Sequence, residues 1–393
     1  MRIYITGLGA VSAIGMSVAE HLESLLNARH GISQIELVRE LKTPYLGGEI
    51  KLTNDQLKAK LGLEEAKVYS RTALLAMLAA REAYPSSFPS GLSVGVLNGT
   101  SVGGMDLSEN FYEEYLKGNK SNKEVILAHE CGTSTQNVAD LLDIRGYRTT
   151  LSTACSSAAN AIMLAARMMQ AGQLDAAIAG GTDALSAFTI NGFNSLGIYD
   201  SELSRPFDET RKGLNMGEGA GFVFLETEES VKKSGNSILA ELIGWGNAND
   251  AFHQTASSPE ATGAKLSMST AMKIAQVAPK DIDYINAHGT GTENNDNTEV
   301  KAIGDLFPDK KPPYSSTKQY TGHTLAAAGG LEAVFSVLSI NHGVIYPNLR
   351  WENQMSTTDL MPALKLERKE IKCVLSNSFG FGGNNSTLIF RKV

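Results

Sequence analysis

The chain has 393 residues, 42% hydrophobic and 20% charged, with 35 Lys and Arg against 42 Asp and Glu. That length supplies one large domain or two closely packed ones, and a formal net charge of −7 without a long Lys/Arg run excludes a nucleic-acid surface. Three cysteines fit a reducing compartment better than a disulfide framework, and no window approaches the roughly 18 consecutive apolar residues of a membrane span.

The N-terminus "MRIYITGLGAVSAIG" reads directly as strand and turn, with no basic stretch ahead of a long apolar core. No signal peptide and no membrane insertion are expected, and the expected setting is soluble and cytoplasmic. In chain order, strands are predicted at "RIYITGL", "LSVGVLN", "YRTTLST", "DAAIAGG" and "GFVFLE". A second series follows at "ILAELIGWG", "IDYINAHG", "PPYSST", "KCVLSNS" and "STLIFR". Helical patterns fall between several of them, at 69–83, 156–171, 262–277, 296–306 and 325–341. Strands alternating with helices predict an α/β protein with a largely parallel sheet, covered by helices on both faces.

The order of features occurs twice. A strand running into Gly-x-Gly appears at "TGLG" and again at "IGWG", and a strand followed by Gly-Thr at "VLNGTSVGG" and "INAHGTGT". A strand ending in Ser/Thr before a small-residue helix appears at "LSTACSSAANAIML" and "SSTKQYTGHTLAAAGGLEAV". The period is far too long for a solenoid. It predicts two halves of like topology, 1–230 and 231–393, dividing near the polar "TEESVKKSGNS". Packed face to face, such halves bring equivalent strand ends to one central site.

"TGLGAVS" lacks the third glycine and the well-placed acidic residue of a dinucleotide fingerprint, so it is read as a tight turn after a buried strand. Cys155 ends one strand and opens an alanine-rich helix. A helix N-terminus favours thiolate and its amides can hold an oxyanion, yet a buried cysteine is as often a small packing residue. From this segment alone both readings stand.

His288 in "NAHGTGT" and His323 in "TKQYTGHT" each lie just past a strand end beside glycine, and the duplication sets "TKQYTGHT" opposite the cysteine turn. No His-x-x-x-His or Cys-x-x-Cys pair supplies a chelating spacing, so a thiol–imidazole site is preferred to a metal. "NSFGFGGNN" reads as a bend between strands that lets backbone approach a ligand and Phe379 or Phe381 move.

These motifs taken together, "TACSSA", "SRPFD", "GEGAG", "HGTGT", "STKQYTGHT" followed by "AAAGGLEA", and "NSFGFGGNN", resemble those of the elongating β-ketoacyl-acyl-carrier-protein synthases, types I and II, in the same order. The resemblance runs along essentially the whole chain. It implies the thiolase fold: two pseudo-symmetric halves in an αβαβα five-layered arrangement, commonly a homodimer. It also implies decarboxylative condensation of an acyl chain with malonyl-acyl-carrier protein, in fatty acid synthesis or alternatively in a polyketide or aryl polyene pathway. The substrates carry phosphopantetheine and no further cofactor is implied.

Residue by residue, the resemblance makes Cys155 the acyl-accepting nucleophile, His288 and His323 the pair promoting decarboxylation, and Lys318 their supporting cation. Thr290 and Thr292 match the threonines that hold the phosphopantetheine arm. Phe381 matches a gating aromatic whose N–H joins that of Cys155 as the oxyanion hole, and Asp296 and Glu299 match an acidic pair that organises the site. Val102, Phe193 and Phe381 match positions along the acyl channel, and Lys67 and Arg71 fall where carrier-protein docking cations are expected.

Glu293 stands where proline is common, Asn384 replaces the usual threonine of the Gly-Phe-Gly-Gly-Thr-Asn turn, and "NGFNSLGIYDSELSRPFD" is shorter than in many fatty-acid enzymes. His323 separates the chain from starter-type synthases, which carry asparagine there. Cys373 is read as a strand residue and not as the second cysteine of a degradative thiolase. Cys155 argues against a non-catalytic chain-length-factor-like subunit, although pairing with such a subunit stays open.

Overall fold

Apolar, β-branched runs punctuated by glycine become ten strands of one sheet in the computed structural model, which describes residues 1–39, 41, 43–64, 67–119, 121 and 123–393. The first part of the chain contributes β1 (Ile3–Ser12), β2 (Val94–Gly99), β3 (Arg148–Leu151), β4 (Ala176–Asp183) and β5 (Gly219–Thr227). The second contributes β6 (Ala240–Asn249), β7 (Tyr284–Asn286), β8 (Tyr314–Ser315), β9 (Cys373–Gly380) and β10 (Asn384–Arg391). Across the sheet they run β8-β7-β9-β10-β6-β1-β5-β4-β2-β3. Outward from the β1–β6 junction, each series follows the same order: its first, fifth, fourth, second and third strand.

The sheet is mixed, which corrects the largely parallel expectation. Five of its nine neighbouring pairs are antiparallel: β1–β5, β1–β6, β4–β5, β6–β10 and β9–β10. The reason is plainest at β9–β10. Only Phe381–Gly383 joins them, far short of the dozen or so residues that a parallel crossover needs.

Among the helices that cover this sheet are α1 (Arg71–Ala83), α2 (Ser157–Gln170), α3 (Thr262–Ala275), α4 (Glu293–Leu306) and α5 (Ala328–His342). Alternate residues of a strand face opposite sides, so each fully buried strand feeds two cores. Phe222 and Phe224 of β5 join Leu74, Leu75 and Ala79 of α1 on the outer side. Val223 and Leu225 turn inward to a central cluster with Ile162 of α2 and Val334 of α5. In the second series, Leu388 and Phe390 of β10 face that same central cluster, while Ile389 faces Met268 of α3 and Ile303 of α4. The result is five layers, αβαβα, with α2 and α5 in the middle. Within the sheet, the two series pair with each other at Tyr4↔Glu241 and Ile5↔Ala240.

The central position of α5 explains its composition. Leu325–His342 is an 18-residue segment of mean hydropathy 1.2, apolar and long enough to cross a membrane, but 89% of it is buried between the two halves of the sheet.

The repeated Gly-x-Gly is not a turn. β1 continues through "TGLGAVS" to Ser12, with a register shift between Ile5 and Gly7, and the chain reverses at Ser12–Gly15. A Cβ on Gly7 or Gly9 would stand 1.9 Å from the carbonyl oxygens of Ala83 or Ala79 in α1. Gly244 and Gly246 of β6 meet Ala271 and Ser267 of α3 in the same way, at 2.4 and 2.0 Å. The motif occurs twice because each half seats its outer helix directly on its first strand.

Candidate active site

Past β3 the chain makes a tight elbow before α2. Ala154 sits there at φ +51°, a left-handed conformation costing a non-glycine residue about 1–2 kcal/mol. Hydroxyls hold it in place. Ser157 Oγ donates to the Ala154 carbonyl at 2.6 Å and accepts from the Thr153 N–H at 2.9 Å, while Ser156 Oγ lies 2.7 Å from the Thr153 carbonyl and 2.8 Å from Asn384 Oδ1, two acceptors that share its one proton. The elbow delivers Cys155 to a cavity of about 1110 Å³ that His288, His323, Thr290, Thr292, Phe193 and Phe381 also line.

A second elbow precedes α5, with Leu325 at φ +52°. Ala326 takes the place of the cysteine there, and its N–H donates to Asp183 Oδ2 at 2.9 Å. Asp183 also accepts from Thr100 Oγ1 at 2.6 Å and from the amides of Ser101 and Val102 at 3.1 and 3.2 Å. One elbow therefore carries a thiol, and the other is closed by a carboxylate. The structural counterpart of Cys155 is Ala326, so "TKQYTGHT" lies just ahead of the matching position.

Burial pushes the Cys155 thiol up to about 11, against the pull of the Lys318 ammonium and of the Phe381 and Cys155 amides. The helix terminus does not yield a resting thiolate, because desolvation of the charged form outweighs these attractions. The Phe381 and Cys155 amides are the backbone donors that act on the sulfur.

Lys318 fixes the tautomer of His288. An ammonium has no acceptor, so the contact of Lys318 Nζ with His288 Nδ1 at 3.2 Å makes Nδ1 the acceptor and leaves the proton on Nε2. His323 Nδ1 accepts from the Leu325 N–H at 3.2 Å, with the same consequence. The rings meet edge to face, 5.5 Å between centroids. Burial and the nearby Lys318 hold both imidazoles well below the usual histidine range, so both are neutral. Two neutral rings with occupied Nδ1 atoms leave two N–H donors for the cavity.

Lys318 is itself held by an ion pair with Glu332 of α5. Sequence reading passed over Glu332, although it is the one acidic residue in the apolar run that forms α5. Glu299 accepts from the amides of His288 and Gly289 at 2.9 and 2.8 Å and from Asn377 Nδ2 at 3.0 Å, with burial raising it to about 7. Asp296 accepts from the Phe207 amide at 2.8 Å and lies 3.7 Å from Arg211. Both carboxylates thus pin the "HGTGT" turn without entering the cavity. Thr290 and Thr292 share a hydroxyl hydrogen bond of 2.9 Å on the cavity wall.

Phe381 stacks on Phe193 at 5.5 Å and 16°. Val102 does not line the cavity. It packs with Phe193 against the cluster of Leu185, Ile190, Leu214 and Leu325, behind the wall. Cys373 opens β9, whereas Phe381 follows its last residue, so the two are separated by eight residue steps, about 26 Å of extended chain.

Arg71 is not a docking cation. Only 7% exposed, it forks onto Glu218 through Nε at 2.8 Å and Nη2 at 2.6 Å, and also donates to the carbonyls of Ile50 and Leu52. Its charge anchors the first turn of α1. Arg71→Met should leave Glu218 charged and unpaired in the interior, at a cost of about 3–5 kcal/mol. Urea unfolding would read this as a lower midpoint at unchanged slope. Lys67 is exposed, its ammonium 5.1 Å above the Tyr69 ring.

A thiol and two neutral imidazole donors at the meeting of two like halves define a thiolase-fold condensing enzyme. Its N-terminal portion, residues 1–230, matches the beta-ketoacyl synthase N-terminal domain, and residues 239–352 match the C-terminal domain. The chain belongs to the beta-ketoacyl synthase family. It is 35% identical over 410 aligned residues to the 3-oxoacyl-[acyl-carrier-protein] synthase 2 of Staphylococcus aureus, covering 100% of this chain and 98% of that one. Among solved structures, the ishigamide ketosynthase/chain length factor matches with a TM-score of 0.92 at 28% identity, covering 100% of this chain and 99% of that one. A ketosynthase in complex with its chain length factor from Xenorhabdus doucetiae matches with a TM-score of 0.88 at 30% identity, covering 100% and 98%.

Proposed function

We propose that this chain is a β-ketoacyl-acyl-carrier-protein synthase that extends an acyl group held on Cys155 by condensation with malonyl-acyl-carrier protein. The observation carrying this reading is the pair of neutral imidazoles, each with Nδ1 occupied, lining one cavity with the thiol. In the first half-reaction the sulfur of Cys155 bonds to the acyl carbonyl carbon, the carrier thioester bond breaks, and the proton leaves on the carrier sulfur. The amides of Cys155 and Phe381 receive the developing oxyanion.

In the second, the malonyl arm lies along Thr290 and Thr292. Loss of carbon dioxide leaves an enolate, whose oxygen accepts from the Nε2–H groups of His288 and His323. The enolate carbon bonds to the acyl carbon, and the sulfur of Cys155 departs and takes up a proton. The malonyl carboxylate supplies the driving force, so no metal or redox cofactor enters these steps. The carrier's phosphopantetheine brings both substrates, and Lys67 is the proposed docking cation for its acidic surface.

β3 is an edge strand, open to a second chain. A homodimer is proposed, with a heterodimer with a chain-length-factor-like subunit as its alternative. Fatty acid synthesis is the proposed pathway, following the Staphylococcus aureus relative. The solved ketosynthases paired with chain length factors favour a polyketide or aryl polyene pathway as the second reading.

The test supplies acyl-carrier proteins of graded chain length, reads acyl mass on Cys155, then adds malonyl-carrier protein and looks for the β-ketoacyl product. Acylation without a new carbon–carbon bond would sink the proposal. The same ladder tests the channel. Val102→Phe pushes the cluster behind Phe193 toward the cavity, and overpacking of about 1–3 kcal/mol is worth roughly tenfold or more against the longest chains. Short chains should be unaffected. A uniform slowing at all lengths would mean that Val102 does not shape the channel from behind its wall.

A further inference from the structure

The turn between β9 and β10 carries the Phe381 amide, and something must hold that turn at the right distance from the Cys155 elbow. Backbone hydrogen bonds tie it elsewhere: the Gly382 N–H donates to the Gln254 carbonyl at 2.7 Å, and the Asp250 N–H to the Gly383 carbonyl at 2.9 Å. Gly382 and Gly383, at φ +80° and +76°, leave the turn free to pivot.

Toward the elbow, the tie runs through Asn384, the first residue of β10. Its Oδ1 lies 2.8 Å from Ser156 Oγ, 2.9 Å from Asn160 Nδ2 and 2.8 Å from Asn247 Nδ2. Ser156 adjoins the nucleophile, Asn160 belongs to the first turn of α2, and Asn247 lies in β6. Ser386 Oγ reinforces the link by donating to Asn160 Oδ1 at 2.7 Å. One carboxamide oxygen thus gathers donors from the elbow, the central helix and the neighbouring strand. A threonine hydroxyl at this position, which the resemblance makes usual, is one atom shorter and would leave the Asn160 and Asn247 amides short of their acceptor.

We propose that Asn384 is a positioning residue for acyl transfer: its amide oxygen sets the register in which the Phe381 and Cys155 N–H groups converge on one oxyanion. It acts on the first half-reaction and not on the second, whose charge is met by His288 and His323. The inference rests on the condensing activity proposed above.

The experiment compares two rates in Asn384→Leu: acylation of Cys155 by acyl-carrier protein, and malonyl decarboxylation in a Cys155→Gln background. Losing a whole oxyanion donor costs about 10²–10³ in rate, so misplacing one should slow acylation roughly tenfold to a hundredfold and leave decarboxylation within about twofold. Asn384→Asp keeps an acceptor at the same reach and should restore acylation substantially. Asn384→Ser, which loses the reach but adds no apolar bulk, should repeat the selective loss even where the leucine variant does not fold. Equal loss in both half-reactions, or parental acylation in the serine variant, overturns the inference. A parent protein that performs neither half-reaction overturns instead the condensing activity on which it rests.

Discussion

Cys155→Ala is expected to form no acyl-enzyme and to make no condensation product while folding like the parent. The elbow's hydrogen bonds run through Thr153, Ser156 and Ser157, so removing the sulfur breaks none of them. Removing a nucleophile from an acyl-transfer enzyme costs on the order of 10⁶ in kcat, whereas a one-atom cavity costs on the order of 1 kcal/mol. Condensation surviving at more than a trace would exclude Cys155 as the acyl carrier. The parent thiol offers a second reading. Pushed up to about 11 by burial, Cys155 should react with iodoacetamide about tenfold faster per pH unit between pH 7 and 9. A plateau near neutral pH would mean that a thiolate already exists at rest.

The next largest effect is expected from the imidazoles. His288→Ala or His323→Ala should slow malonyl decarboxylation by about 10²–10³, the usual loss for one oxyanion donor, and acylation of Cys155 far less. Carbon dioxide release and acyl mass on the protein separate the two. Burial and Lys318 keep both rings deprotonated well below the usual range, so the donors persist as pH falls through the region where an exposed histidine would charge. Decarboxylation in the Cys155→Gln background should therefore stay flat from about pH 8 to 6. A fall with an apparent pKa near that of free histidine, or equal damage to both half-reactions, would recast the histidines as structural supports.

Which parts of this site were legible in the sequence follows from how far each depends on distant residues. Most of the ten strands were visible as apolar runs, because fully buried strands need apolar side chains on both faces; the edge strand β3, with Arg148, Thr149 and Thr150, shows as a β-branched run instead. The cysteine turn and the two histidine turns were visible because their glycine, serine and threonine neighbours are their own local hydrogen-bonding and conformational requirements. The Gly-x-Gly segments were misread, since a glycine cleared for a packing helix looks like a glycine needed for a turn. Only the approach of Ala79 and Ala83 to β1 distinguishes them.

Arg71 went wrong for a related reason. A charge at the start of a helix reads as solvent-facing, and Glu218, which buries it, lies 147 residues further on. The thiol's resting state was misjudged too, because a helix terminus is a local feature whereas desolvation is a property of the assembled interior. Asp183, Glu332 and Asn384 escaped notice as site residues, each being ordinary until the opposite half supplies its partner.

By itself, then, the sequence determined the α/β class, the strand positions, the duplication and the reactive side chains, all of which are written in runs of a few residues to a few dozen. Tertiary structure alone decided the mixed sense of the sheet, the closure of the second elbow by Asp183, and the neutral Nε2–H state of both imidazoles. Those depend on which groups meet across the central layer, where low dielectric decides protonation and close packing decides which strands are neighbours.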